Sequence, residues 1–493
     1  MAEELTGAGD FQLEVIELIT VSGMKIDLTA SCMSITIYED IFSLGLTGTI
    51  ALGDSFNLPH HGPVLGQEYL RLRIKTPSFP DSPITAIDFS ENVFLVHTIS
   101  TRKRIAPGVQ GYTLEFASQE LVKNQRLKVT QSLTGSWSDI IKYLLKSDRY
   151  LNTKKNVLVE KTAGVKRFVA PNIRPLDLVT LATKQARGQT GGESTFLFYE
   201  TFDGFHFRSL ASIYNEKPSF YFTTDTPGTN PPRTKQYNII KHMETILNYE
   251  IVNTNDTIVG YRTGMYGSML HTHDIIHKTY NKYRYNYHDN FASEPHIVSG
   301  TTAERTEYPF VSELYVGQGG RVSDFPARTY VMPVTNNSLD STKDSSHVTT
   351  ANTYPFIGHN PQSWLQRRTS QMLQLENALN LNLTIHGNTV VRSGSVVTVQ
   401  IPHVQASTLI KEEQFDKFYS GPFLVKRIRH EFSLMQSPPK HTMYMALVKD
   451  SLTEELPNPV NNMEPHAPTH GSTIDYEYVI SKRFVRGTIT KSC

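Results

Sequence analysis

Residues 171–210 decide the fold: Pro171-Asn172-Ile173-Arg174-Pro175-Leu176-Asp177 leads, through a helical stretch, to Phe196-Leu197-Phe198-Tyr199-Glu200-Thr201-Phe202-Asp203-Gly204-Phe205-His206-Phe207-Arg208-Ser209-Leu210. Pro175 fits the first position of a helix, because the N–H it lacks has no intrahelical partner there and its φ is already helical. The helix is expected to stop at Gly188, where glycine takes a left-handed cap without steric cost. Its inner face is read as Leu178, Leu181, Ala182 and Gln185. Phe196 and Phe198, then Phe205 and Phe207, flank a turn at Asp203-Gly204. That pattern predicts a β-hairpin with a two-residue loop, carrying His206 and Arg208 on the opposite face.

Working outward, short alternating runs at Phe11–Ile19, Ser34–Tyr38, Tyr69–Lys75, Asn92–Ser100 and Gly111–Phe116 are separated by Gly, Pro and Asp clusters. Strands at this spacing favour a barrel or sandwich. The period then changes. Trp137, Ile140, Ile141, Leu144 and Leu145 mark one face of a helix, with Ser136 and Asp139 spaced as a capping box. From 230 to 330 the chain is rich in Tyr, Thr, Asn and Gly, and 334–353 is a polar loop. Asn360 and Pro361 open a third helix with Leu365, Met372, Leu375 and Leu379 on one face. Strands resume at Asn382–Ile385, Val396–Ile401, Pro422–Phe432 and Met443–Lys449, before a proline-punctuated tail with an alternating run at Tyr476–Ile480. Such a tail reads as an extended arm able to add onto another surface.

The chain has 493 residues, 39% of them hydrophobic, which is ample for several cores and excludes disorder throughout. Forty-eight basic against 47 acidic side chains leave a net charge of +1, with no global field for nucleic acid or acidic lipid. Two cysteines, Cys32 and Cys493, make a disulfide framework unlooked-for and suit a reducing compartment. The acidic N-terminus, Met1-Ala2-Glu3-Glu4, is not that of a secretory signal, and no run approaches the roughly 18 apolar residues of a membrane span. A cytoplasmic site of synthesis is expected.

Candidate chemistry is sparse. His271-x-His273 with His277 is the best metal-like cluster, since ligands two apart on a strand point the same way and Asp274 is adjacent. No second cluster supports it, so no metal and no cofactor are expected. His60-His61 and His206 read as polar loop or strand residues. Tyr283, Tyr285 and Tyr287, alternating with Lys282, Arg284 and Asn286, would suit base stacking, but packing against a neighbouring strand or subunit is the favoured reading. Arg102-Lys103-Arg104 and Lys426, Arg427 and Arg429 read as solvated faces or intersubunit ion pairs. Gly317-x-Gly319-Gly320 is a turn, lacking the lysine and helix of a phosphate loop. No G-x-S-x-G elbow, H-E-x-x-H helix or C-x-x-C pair occurs, and no catalytic residue is assigned.

The ordered block from Pro171 to Leu210 resembles the signature of the baseplate central hub family of contractile-tailed bacteriophages. Ile37-Tyr38-Glu39-Asp40-Ile41-Phe42 with Gly48-Thr49-Ile50 and Asp54 agrees with it, as do Leu383–Val397, Ser420-Gly421-Pro422-Phe423-Leu424-Val425 and Arg429-His430-Glu431-Phe432. A similar module occurs in type VI secretion spike proteins, where the spike is fused to the hub. Here the tail after Asp450 is too short for a spike blade or a lysozyme domain.

The resemblance implies an α+β, β-rich chain with two tail-tube-like β-barrel domains. The expected boundaries are 1–118 plus 194–240 for the first barrel, 119–193 for an inserted helical α/β subdomain, 241–333 plus 380–450 for the second barrel, 334–379 for the polar loop and helix, and 451–493 for the arm. The Ile173–Leu210 block would build the seam between the insert and the first barrel's return strands. The resemblance also implies a homotrimer in a virion tail baseplate, assembled in the host cytoplasm without a membrane anchor. Its partners would be a tail tube protein, a separate central spike protein and baseplate wedge proteins, with DNA passing the lumen unbound. A tail-associated cell-wall hydrolase using the histidine cluster, and a hub of a bacterial injection system, stand as alternatives.

Overall fold

Period-two alternation from Gln12 to Ser118 produces seven strands: β1 (Gln12–Ile19), β2 (Lys25–Asp27), β3 (Cys32–Asp40), β4 (Thr47–Asp54), β5 (Tyr69–Lys75), β6 (Ala86–Ala106) and β7 (Val109–Ser118), with a single-turn helix α1 (Leu58–His61) between β4 and β5. The structure, a computed structural model, describes residues 7–61, 64–76, 86–189, 193–224, 239–253, 255–275, 278–297, 307–311, 321–334, 361–402 and 415–455. The strands pair antiparallel in the order β2-β1-β5-β6-β7-β4-β3. Ile16, Ile35, Ile50, Leu72, Phe94 and Phe116, from six of them, meet in one core. Each such burial stabilises by about 1.5–3 kcal/mol. The sheet thus turns one face inward on itself and the other to solvent.

The insert follows β7 directly. It comprises α2 (Gln119–Arg126), β8 (Ser132–Gly135), α3 (Trp137–Lys146), β9 (Val157–Val159), β10 (Lys166–Val169), α4 (Pro175–Gln185), β11 (Phe196–Thr201), β12 (Gly204–Ser209) and α5 (Leu210–Tyr214). The α3 start is as expected: the Asp139 N–H donates to Ser136 Oγ at 3.2 Å, and that hydroxyl donates to Asp139 Oδ2. Pro175 does open α4, but the Gly188 stop is corrected. The helix ends when Ala186 turns extended, and Gly188 instead bridges Thr162 and donates its N–H to the Glu193 carbonyl at 2.8 Å. Leu176, Leu178, Val179 and Ala182 form the buried face, while Leu181 and Gln185 are only half-buried.

The hairpin is also shifted by one residue: Thr201 pairs with Gly204, so the loop is Phe202-Asp203. Gly204 has φ +128° and a Cβ there would collide with the Asn156 carbonyl, which accepts the Phe205 N–H at 2.9 Å. A glycine is therefore required where β9 runs parallel beside β12.

The C-terminal lobe joins the first by sheet continuation. Its strands are β13 (Phe220–Thr223), then, after α6 (Ile239–Glu244), β14 (Ile246–Asn253). A smaller unit follows, with α7 (Thr257–Thr263), β15 (Gly267–Asp274), β16 (Thr279–Asn286), α8 (Tyr287–Phe291) and β17 (Arg328–Pro333). Then come α9 (Leu365–Asn377), β18 (Leu379–His386), β19 (Val396–Gln400), β20 (Gly421–Ser433) and β21 (Lys440–Lys449). Strands β14-β18-β21-β20 continue through β3 into the N-terminal strands, with β13 and β19 attached at β20, as one 13-stranded sheet.

Strand β20 serves both lobes. Its first part pairs with β19, and after a bulge between Val425 and Arg427 its second part pairs with β3, from Arg427↔Asp40 to Ser433↔Ser34. The extra residue keeps the inward face in register: Phe423 and Val425 precede it, Ile428, His430 and Phe432 follow it. Phe423, Val425 and Ile428 lie in the C-terminal core, Phe432 in the N-terminal one.

Two expected sheet memberships change. Segment 194–224 does not return to the first set of strands: β11 and β12 pair with each other and with β9, and β13 pairs with β19. Among the described residues of 241–333 only β14 joins the large sheet, while β16-β15-β17 form a separate one. The hairpin instead has two buried faces. Phe196, Phe198, Phe205 and Phe207 face the insert core, whereas Leu197 and Tyr199 pack with Leu424, Val396 and Val448 of the C-terminal lobe. Phe202 at its turn packs on the N-terminal core, so the hairpin is a three-way joint and not a seam with the first lobe alone. The arm beyond Glu455, the polar stretch after Val334, His277 and Gly317-x-Gly319-Gly320 lie outside the described residues.

Candidate functional site

The sequence candidates are scattered over the fold. His271 and His273 share the outward face of β15, but His271 bonds Tyr280 and Asp274 is fully buried on the other face. Among the described residues no three His, Cys, Asp or Glu side chains gather as a metal site. Tyr285 and Tyr287 are buried in the small unit's core beside Tyr266 and Phe291, the packing role expected of them, and Tyr283 is half-buried. His206 stacks on Tyr199 at 5.1 Å, and burial lowers its pKa to about 4, so it is neutral. His60 and His61 lie on α1.

The basic groups divide. Arg102, Lys103 and Arg104 line an open depression with Asp54, Asn57 and Gln110. Lys426, Arg427 and Arg429 find partners within the chain. Lys426 Nζ donates to the Leu375 carbonyl at 3.0 Å and to Asn380, Arg427 Nε lies 2.8 Å from Asp40 Oδ2 across the β3–β20 pairing, and the Arg429 guanidinium covers the Tyr444 ring at 3.9 Å. Above that pairing, the outer face holds an open groove of about 450 Å³ that includes Tyr38, Asp40, Glu250, Arg427, Arg429 and Tyr444.

The chemistry that sets this molecule apart is inside, where the three parts meet. In the first cluster Lys155 Nζ donates to Glu200 Oε1 at 2.6 Å and to Glu120 Oε2 at 2.8 Å, all three side chains being buried. Glu120 stands in the first turn of α2, Lys155 precedes β9, and Glu200 sits on β11. Glu200 Oε2 also accepts from the Leu46 N–H at 2.9 Å and from Ser118 Oγ at 2.6 Å, and Thr153 Oγ1 donates to Glu120 Oε1 at 2.6 Å. One carboxylate thus ties the hairpin to both the insert and the N-terminal lobe. Burial pushes Glu120 up, but Lys155 outweighs it and the pKa is lowered. Burial opposes the Lys155 charge, and Glu200 and Glu120 outweigh it, so its pKa is raised. Glu200, desolvated and beside a second acid, is raised.

The second cluster is built differently. Glu39 on β3 is 1% exposed; its Oε2 accepts the Ser393 N–H at 2.9 Å and its Oε1 the Phe202 N–H at 3.3 Å. His430 on β20 places Nε2 at 4.0 Å from Glu39 Oε1, while its Nδ1 is 3.2 Å from Nε2 of His441 on β21. The Phe202 ring lies between His430, at 4.8 Å, and the Arg392 guanidinium, at 5.0 Å. Burial lifts Glu39 to about 7 against the pull of Arg392 and the two N–H donors. Burial also drives His430 well below its ordinary value and His441 down to about 3, so the Glu39–His430 contact is not an ion pair. A third tie, His296 Nδ1 to Asp450 Oδ2 at 3.0 Å, pins the small unit to the end of β21. None of these groups reaches solvent with a nucleophile and a base in hydrogen-bond reach, and they read as joints.

No family model and no curated protein sequence matches the chain. Among solved structures it is similar to a tail protein of Neisseria meningitidis, at 13% identity and TM-score 0.46 over 90% of this chain and 97% of that one. It is likewise similar to a 43 kDa prophage tail protein of Shewanella oneidensis, at 9% and 0.46 over 88% and 98%. A third is an Escherichia coli protein described as a component of the type VI secretion system with structural similarity to T4 bacteriophage tail proteins, at 8% and 0.40 over 89% and 76%. These three are thus two tail proteins and a type VI secretion component.

Sequence reading passed over the buried clusters, although alternation carried a signal. Ile35, Ile37 and Glu39 occupy one face of β3, as do Ile428, His430 and Phe432 of β20 and His441, Met443 and Met445 of β21. A titratable residue in register with core residues is a buried one.

Proposed function

We propose that this chain is a structural subunit of a contractile-tail baseplate hub, forming a homotrimeric ring that joins a sixfold tail tube to a threefold central spike. The observation that carries the proposal is the β3–β20 pairing, which fuses two strand lobes into one sheet. In this reading each strand lobe is a tube-like unit, so three chains offer six comparable positions, which is the symmetry mismatch such an adaptor must solve. The sequence resemblance around Ile173–Leu210 and at Ile37–Phe42 supports the same assignment. In this reading the spike is a separate chain, wedge proteins dock outside, DNA passes without specific contacts, and the arm after Asp450 orders on a neighbour. No residue carries catalysis.

Light scattering of the purified chain, alone and mixed with the tube and spike proteins of the same tail, tests the proposal. A trimer, formed alone or on mixing, is expected. A chain that stays monomeric with both partners present overturns it.

A further inference from the structure

We propose that Glu39 is a proton-operated latch on the β3–β20 joint: its neutral carboxyl donates a hydrogen bond to His430 Nε2 and holds the two strand lobes together, and loss of that proton loosens them. This goes beyond the hub assignment and does not depend on it.

The geometry supplies donor, acceptor and relay. Glu39 accepts two backbone N–H groups, from Ser393 and Phe202, which leaves its own proton, when present, free to be donated. The atom facing it, His430 Nε2, is buried without a hydrogen-bond partner at 4.0 Å. A shift of about 1 Å brings the two to hydrogen-bond distance. For Nε2 to accept, the His430 proton must sit on Nδ1, where it is donated to His441 Nε2, 3.2 Å away. The chain Glu39–His430–His441 then crosses β3, β20 and β21 with each ring neutral, as their burial requires.

The charged groups around it are few. Arg392 approaches from the segment between β18 and β19 and favours the carboxylate, while Asp203 of the hairpin turn disfavours it. Tyr199 of β11 feels the same charge, and Arg392 also bears on both histidines. Arg392 is itself engaged by Asp203, with Nε 3.5 Å from Oδ2. When Glu39 ionises it stops donating, and His430 Nε2 loses the bond while a carboxylate remains buried without a hydrogen-bonded cation. Such an orphaned pair is costly in the interior.

The sign follows from linkage. A carboxyl whose folded pKa is raised, here from 4.5 to about 7, contributes stability that is complete below its ordinary value and lost as pH rises through about 7. Between about 4.5 and about 7 the folding constant falls about tenfold per pH unit from this group alone, and above about 7 it levels off.

Two measurements test the latch. Hydrogen exchange of the wild-type chain between about pH 4 and pH 9, corrected for intrinsic base catalysis, should show the amides of Ser34–Asp40 and Arg427–Ser433 losing protection relative to β18–β21 amides as pH rises to about 7, and levelling off above it. Infrared difference spectra should show a protonated carboxyl band that titrates in the same window and is missing from Glu39→Gln. That variant should also show a shallower fall of stability with pH than wild type. If joint protection tracks the β18–β21 amides at every pH, or if no carboxyl titrates near neutrality, the latch is wrong. The wild-type measurements decide the matter even where the variant fails to fold.

Discussion

Lys155 with Glu120 and Glu200, and Glu39 with His430 and His441, lie at the same joint and bury ionisable groups by opposite means. In the first, a cation donates to both acids, at 2.6 and 2.8 Å, and Glu120 is held ionised. In the second no cation among the described residues donates to the acid, and burial lifts its pKa to about 7. The difference is where the opposite charge stands. Direct contact repays desolvation and fixes the protonation state, whereas a guanidinium engaged elsewhere leaves it adjustable.

Breaking the first cluster should have the largest effect. Lys155→Met leaves two acids buried without their cation, and a loss of about 3–5 kcal/mol is expected in urea denaturation. An unchanged midpoint would mean that the acids take up protons at little cost. Gly204→Ala comes next, since the strained backbone and the Asn156 carbonyl displace the hairpin that carries Glu200 to one cluster and Phe202 to the other. About 1–3 kcal/mol is expected, with Ser393 and Leu46 amides both losing exchange protection. If only one responds, the clusters are independent.

The pH dependence separates the two most sharply. Glu120, lowered, contributes stability that is present above its ordinary range and lost as pH falls through its folded value, and Lys155, raised, loses its share only as pH rises beyond the usual lysine range. Glu39 acts the other way round, losing its share as pH rises through about 7. Thermal melts should therefore show stability falling between about pH 4.5 and pH 7 with a slope that Glu39→Gln reduces, and equal slopes would remove the contrast. Arg427→Ala is expected to change least, by about 0–1 kcal/mol and only at low salt, because its pair with Asp40 is exposed. A larger loss would put part of the joint's strength on its surface.

Local order was legible where local forces decide it. The Ser136–Asp139 cap, the Pro175 start and the aromatic hairpin follow from neighbours in sequence. Gly188 and the Phe202-Asp203 loop did not, because the Thr162 bridge and the β9 edge at Asn156 fix those backbones from outside. The change of partner along β20 is longer-range still, resting on a contact between Arg427 and Asp40 that no periodicity encodes. For the clusters, the pattern around Glu39 already places a carboxyl on the core side, but its partners His430 and His441 arrive from the far end of the chain. Glu200 is harder, since both faces of β11 are buried and alternation says nothing there.

Strand β20 has a mechanical consequence. Its hydrogen bonds to β3 run across the strand axis from Arg427↔Asp40 to Ser433↔Ser34. A pull along the strands loads all of them at once in shear, whereas a pull at right angles, within the plane of the sheet, opens them one after another from an end. The β3–β20 seam is therefore stiff to sliding and weak to peeling, so the direction of an applied force, more than its size, determines whether that seam opens.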